Sequence, residues 1–238
     1  MIHIDKHVAL NIDSVQALVP IMMEYQPDLI VTDPPYDGMD IKGGGVAKNV
    51  SVFKDFENKN LTHFDSALFM RDLEIGFSEI KKPFNAYVFG NRFLMRKLIN
   101  LAEQDGLSWD VLIFVKDTVP PFNGGHYLVD KEYCVYMREP GATFNQNEAL
   151  KRYATVREMI NFPRGYKPTT TPKHPAILIP MITISSKPSD VILDPFAGSF
   201  NTGIAAHLIN RRSVLIEENE DEFVNGVKRL RNYVYSSQ

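Results

Sequence analysis

The chain has 238 residues, 44% hydrophobic and 23% charged, with a formal net charge of -3 at pH 7. That is enough for one large domain with its own core, and it leaves nucleic-acid binding open, because binding depends on a local basic patch rather than on total charge. A single cysteine, Cys134, excludes an intramolecular disulfide, and no apolar run approaches the roughly 20 residues that cross a membrane. Residues 1–10 carry His3, Asp5, Lys6 and His7, too polar for a signal peptide, so a cytoplasmic protein is expected.

In chain order, Ser14 is a good N-cap for a helix running to Tyr25, and Asp28 to Thr32 reads as a buried strand. Residues 37–60 contain Gly43-Gly44-Gly45 and several lysines without periodicity, and read as a mobile loop. Ala86 to Phe89 is a second buried strand, after which Asn91 caps a helix that stops at Gly106. Trp109 to Val115 and Tyr133 to Met137 are further strands. Residues 140–172 read as an irregular insertion with a short helix from Asn147 to Ile160. Val191 to Leu193 and Val214 to Ile216 are strands flanking a helix that starts near Asn201, and a last helix covers Asp221 to Tyr233. This alternation predicts a single α/β domain with a mainly parallel sheet and helices on both faces, a Rossmann-like arrangement.

Two motifs follow strands, where open α/β sheets bind ligands. The first is Asp33-Pro34-Pro35-Tyr36. Its prolines stiffen the backbone, its carboxylate can accept a hydrogen bond from an amino group, and its ring offers a face for a base to stack on. The second is Asp194-Pro195-Phe196-Ala197-Gly198-Ser199, a turn between a strand and the helix near Asn201. Glu217 ends the next strand 19 residues after Gly198, a spacing at which an acid takes ribose hydroxyls. The glycine pattern of a nicotinamide site is absent, and no Gly-Lys-Ser/Thr of a P-loop follows. The six histidines show no metal-ligand spacing, so no metal is expected.

These residues resemble the amino-group DNA methyltransferases. Asp33 to Tyr36 match the family's [DNS]-P-P-[YFW] element, and Asp194 to Ser199, with Thr202, match its D-P-F-x-G-S-G-T-T element. Lys173-His174-Pro175 through Pro180 looks like the element before the family's cofactor helix, and Leu10 to Ser14 resembles its L-x-x-G-D-S element. The order of the motifs is similar to that of the β group. The resemblance implies a fold for S-adenosyl-L-methionine, with Asp194, Phe196, Gly198, Ser199, Asn201, Thr202, Glu217, Lys173 and Asp13 on the cofactor. The sequence departs from the family at Asn11, and at Phe200 where a glycine is usual, which puts cofactor affinity at stake; Asn201 can still cap the helix.

The resemblance further implies that Asp33 and the Pro34 carbonyl each hold an N–H of an amino group, with Pro35 and Tyr36 completing the catalytic element. The aspartate favours N6 of adenine. Cytosine N4 is the alternative, and a catalytically weakened DNA-binding relative or an RNA or protein amide methyltransferase are others. Cytosine C5 chemistry is rejected, since Cys134 lies mid-strand without a preceding proline. Lys151, Arg152, Arg157, Arg164 and Lys167 stand in the segment that the resemblance assigns to DNA recognition, with only Glu158 as a neighbouring acid. DNA is thus the expected partner, with a homodimer and a cognate restriction enzyme as further expectations.

Overall fold

The computed structural model describes residues 1–35, 65–116, 130–145, 155–162 and 172–236. The loop over 37–60, Tyr36, Lys151, Arg152, Arg164, Lys167 and most of the helix expected over 147–160 lie outside the described residues.

Among the described residues a nine-stranded sheet runs in the order β1-β2-β9-β8-β3-β4-β6-β5-β7. Its strands are β1 (Ile2–Ile4), β2 (His7–Leu10), β3 (Leu29–Thr32), β4 (Asn85–Gly90), β5 (Ser108–Val115), β6 (Lys131–Arg138), β7 (Val156–Glu158), β8 (Val191–Asp194) and β9 (Arg212–Ile216). β2, β9, β8, β3 and β4 are mutually parallel; β1 and β6 run against their neighbours. The mainly parallel sheet is therefore as expected. β1, β2 and β7 are additions to the sequence reading. β7 also corrects it, since Val156–Glu158 pairs with Ile113 to Val115 as strand where a helix was expected. An extended edge segment gains ladder hydrogen bonds that a short helix without a buried face lacks.

Among the described residues six helices pack on this sheet: α1 (Ser14–Tyr25), α2 (Ser66–Glu79), α3 (Arg92–Gln104), α4 (Pro175–Ser185), α5 (Asn201–Leu208) and α6 (Glu220–Tyr235). Leu18, Met22, Phe69, Leu73, Leu94 and Leu98 of α1–α3 form one core layer with Ile30, Val88 and Leu193. Leu178, Met181, Ala205 and Ala206 of α4 and α5 form the opposite layer with Leu29, Val31 and Ile192. Alternate residues of one strand thus feed opposite faces, which is why the central strands read as unbroken apolar runs. α6 and β1 close a third cluster around Phe200, Leu215 and Leu230.

The helix ends are set by side chains. Asp13, not Ser14, caps α1: its Oδ1 accepts from the amides of Val15 at 2.9 Å and Gln16 at 3.1 Å. Asn91 caps α3 as expected, accepting at 3.0 Å from Phe93 and Leu94. α3 ends at Gln104, and Gly106 follows with φ +68°, the left-handed conformation that glycine adopts without strain. His174 caps α4 by accepting from the Ala176 amide at 3.1 Å, with Pro175 in the first turn where its missing N–H costs nothing.

Candidate active site

β3 and β8 are adjacent and parallel, with Leu29 opposite Ile192 and Ile30 opposite Leu193. After β3 the chain leaves towards β4 on one side; after β8 it leaves towards β9 on the other. This is a topological switch point, where the connections diverge and open a crevice beyond the strand ends. Asp33 follows β3 and Asp194 ends β8, so motifs 161 residues apart in sequence arrive side by side. Asp33 is close enough to raise the pKa of Asp194 by its charge.

On the β8 side, Asp194 is buried. Its Oδ2 accepts from the Thr202 hydroxyl at 2.6 Å and its Oδ1 from the Phe196 amide at 3.1 Å. Burial nevertheless pushes the carboxyl up to about 7, against those two hydrogen bonds. Glu217, at the end of β9, accepts from the Gly198 amide and the Asn219 amide, both at 2.8 Å, and burial raises its pKa as well. Gly198 adopts φ +48° in the turn. Phe196 lays its ring edge-on to Phe69 of α2 at 5.6 Å, so this residue is also anchored in the core.

Phe200 resolves the departure noted in the sequence. Its backbone holds φ 62° and ψ 30°, the left-handed conformation a glycine would supply. Its ring is wholly buried, edge-on to Phe223 at 5.8 Å. A Cβ on Gly226 of α6 would come within 2.6 Å of that ring, so the glycine missing from the turn is matched by one that makes room for the phenylalanine. The ring is thus directed into the third core cluster. Phe200 also takes the N-cap position without a side-chain hydrogen bond, correcting the assignment of that role to Asn201. Asn201 instead donates to Ser199 Oγ at 3.0 Å and accepts from Arg229 at 2.9 Å. Arg229 of α6 also donates to the Ser199 carbonyl, bracing the turn from behind.

On the β3 side, Lys173 stands beside Asp33. Its side chain, 10% exposed, pairs with Asp33 and lies 3.1 Å from Glu132 of β6. Lys116 pairs with the same Glu132 at 2.9 Å. Burial alone would lower the Lys173 pKa, but the Asp33 and Glu132 carboxylates override it and hold the ammonium above the ordinary lysine value. The same two lysines keep Glu132 below its usual value against the effect of burial. The ammonium also lies 5.1 Å from the centre of the Phe89 ring. Pro34 is buried and Pro35 half-buried, so the backbone after Asp33 is held firmly. Sequence reasoning missed Glu132, Lys116 and Arg229; they stand on β6, just after β5 and on α6, with no motif around them.

Of the other expected residues, Asp13 caps α1. Arg157 on β7 is half-buried, with its guanidinium 5.9 Å from the centre of the Phe114 ring, so it lies against the sheet. Cys134 is fully buried on β6, and burial raises its thiol pKa well above the ordinary value, which removes it as a nucleophile at neutral pH.

The chain matches the DNA methylase family over residues 27–228. It is 27% identical to the DNA adenine methyltransferase YhdJ of Escherichia coli over 237 residues, covering 85% of this chain and 76% of that protein. It is 28% identical to the Type II methyltransferase M.HinfI of Haemophilus influenzae over 227 residues, covering 86% of this chain and spanning 63% of that protein's length. The fold is shared with the crystal structure of the M1.HpyAVI-SAM complex, with a TM-score of 0.69 at 22% identity over 94% of this chain and 98% of that one. With the two motifs meeting at the switch point of such a sheet, the chain belongs to the DNA methylase family.

Proposed function

We propose that this protein transfers a methyl group from S-adenosyl-L-methionine to N6 of adenine in DNA. The observation that carries the reading is the arrival of Asp33 and Asp194 at one end of adjacent parallel strands, one carboxylate for the amino group and one for the cofactor. The naming of YhdJ as a DNA adenine methyltransferase, and the aspartate at position 33, favour adenine over cytosine.

The residues fit the cofactor chemically. Asp194 is a buried carboxyl whose hydrogen bonds from Thr202 and Phe196 come from neutral donors and whose pKa is raised, a group suited to a ligand that brings positive charge. Glu217 is fixed by two backbone amides, yet a carboxylate has about four acceptor sites, so it can also take ribose hydroxyls. The start of α5 has no side-chain cap, and a helix N-terminus suits a carboxylate. When bound, S-adenosylmethionine supplies an electrophilic methyl group on a sulfonium.

The chain's own part is to hold the amino group. That nitrogen is a poor nucleophile because its lone pair is delocalised into the ring. Asp33 accepts one N–H and the Pro34 carbonyl the other, which draws the nitrogen towards a tetrahedral geometry and aligns it for in-line transfer. Lys173 fixes the Asp33 carboxylate from one side and, with acceptor sites to spare, does not exhaust it. Glu132 and Lys116 in turn fix Lys173. The target amino group is unreachable inside a duplex, so the base must leave the stack, with Tyr36 as its stacking partner.

The test is transfer of labelled methyl groups to DNA of mixed sequence, followed by nucleoside analysis. Labelled N6-methyladenine from the wild type and none from Asp33→Ala is expected. Label in N4-methylcytosine overturns the choice of base, and unlabelled DNA at every salt concentration overturns the activity. A homodimer and a cognate restriction enzyme remain part of this proposal, checked by sedimentation and by sequencing modified sites in expressing cells.

A further inference from the structure

We propose that Asp5, His7 and His207 form a binding site for a divalent transition-metal ion of the zinc class. The proposal is independent of the methyl-transfer reading, because the site lies at the other end of the sheet. His7 opens β2 at the strand end away from the crevice, and His207 stands in the last turn of α5, which starts at the crevice and runs back. Asp5 sits in the turn between β1 and β2 with φ 51°.

The geometry is that of a ligand set. One donor atom from each residue lies within 4.8 Å of the other two. His7 Nε2 is 3.3 Å from His207 Nδ1. Two nitrogens bound to one tetrahedral zinc at about 2.0–2.1 Å stand roughly 3.3 Å apart, so this pair needs no rearrangement to share an ion. The third ligand is on an exposed turn and can close the remaining distance by a change of side-chain rotamer. A water completes a four-coordinate shell.

The outer contacts suit the same role. His7 is fully buried, and its Nδ1 lies 2.8 Å from the Ser213 hydroxyl on the neighbouring strand. With Nδ1–H donating to that oxygen, Nε2 presents its lone pair towards His207, the arrangement in which a metal-binding histidine is fixed by an outer partner. The ammonium of Lys6, next to both Asp5 and His7 in the chain, is engaged by the Asn210 side chain at 2.6 Å. Imidazole and carboxylate together select zinc, nickel or cobalt over magnesium or calcium. An ion here would tie the β1–β2 turn to the end of α5.

The test uses the full chain, stripped of metal with a chelator, then titrated with Zn²⁺ by calorimetry and with Co²⁺ by visible absorption. One ion per chain, tetrahedral Co²⁺ bands and a raised melting temperature are expected. His207→Ala should weaken Zn²⁺ binding roughly a hundredfold or more, and Ser213→Ala by the ~10–100-fold that loss of an outer partner costs. Asp5→Asn, an exposed change that leaves the core untouched, should also weaken it. Absence of binding by the wild type, or binding unchanged by His207→Ala and Asp5→Asn, overturns the proposal.

Discussion

At the scale of single residues, two side chains decide how the turn after β8, the proposed cofactor site, behaves. Asp194 is pushed up to about 7 by burial, so below that pH it is largely protonated. A cationic ligand favours the ionised form, so its affinity rises as pH rises towards about 7 and levels off above. Calorimetry should show the S-adenosylmethionine Kd tightening by up to about tenfold per pH unit on the acid side, with the slope gone in Asp194→Asn. Phe200 pits backbone against side chain. Its left-handed conformation costs roughly 1–2 kcal/mol for an L-residue, while truncating a buried phenylalanine costs about 3–5 kcal/mol. Phe200→Ala keeps the strain and loses the packing; Phe200→Gly loses the packing but relieves the strain. Denaturant unfolding should therefore find both less stable than wild type, with the glycine variant the more stable of the two by about 1 kcal/mol. The strand, the turn and the two motif carboxylates were legible in the sequence, because each is a local pattern. The direction of the Phe200 ring was not, since it depends on Gly226 across the packed third cluster.

At the scale of elements, α6 is the support of the turn after β8. Arg229 binds the Ser199 carbonyl and Asn201, and Gly226 lets the helix approach closely. A methyl at Gly226 would meet the Phe200 ring at 2.6 Å and the Gly198 carbonyl at 3.0 Å. Gly226→Ala should thus destabilise by about 1–3 kcal/mol and also weaken cofactor binding, because the helix can relieve the contact only by moving the turn. Equal loss of stability with unchanged cofactor affinity would show that the turn is held by its own hydrogen bonds alone. α6 itself was readable from its periodicity, but its grip on the turn was not, because Arg229 looks like any other surface cation on that helix. Likewise β6 was readable as a strand, while its insertion between β4 and β5, which brings Glu132 to Lys173, has no local signature. The cap of α1 shifted by one residue from Ser14 to Asp13, a choice between two neighbouring side chains that propensity alone ranks almost equally.

At the scale of the whole molecule, the fold binds its distant ends together, and pH should expose the joint. His7, from the first strands, is buried against Ser213 and His207 from the last third of the chain. Burial chiefly, with the charges of His207 and Lys6, lowers its pKa from 6.5 to about 4, and Asp5 opposes this weakly. The unfolded chain therefore binds the His7 proton first. The stabilisation is present above pH 6.5 and is lost as pH falls towards about 4, in all on the order of 3 kcal/mol. Unfolding measured in a chelator should show that loss, and His7→Gln should flatten it. The sequence by itself determined the α/β class, most of the central strands, and the two motifs to which the chemistry is proposed to belong, because apolar runs, turn residues and capping side chains act over a few positions. Only the tertiary structure decided the rest: that Asp33 and Asp194 share one crevice, that Lys173 serves Asp33, and that two histidines 200 residues apart face each other. The physical reason is that strand order and register place residues by long-range pairing and burial, and neither leaves a trace in the spacing of residues along the chain.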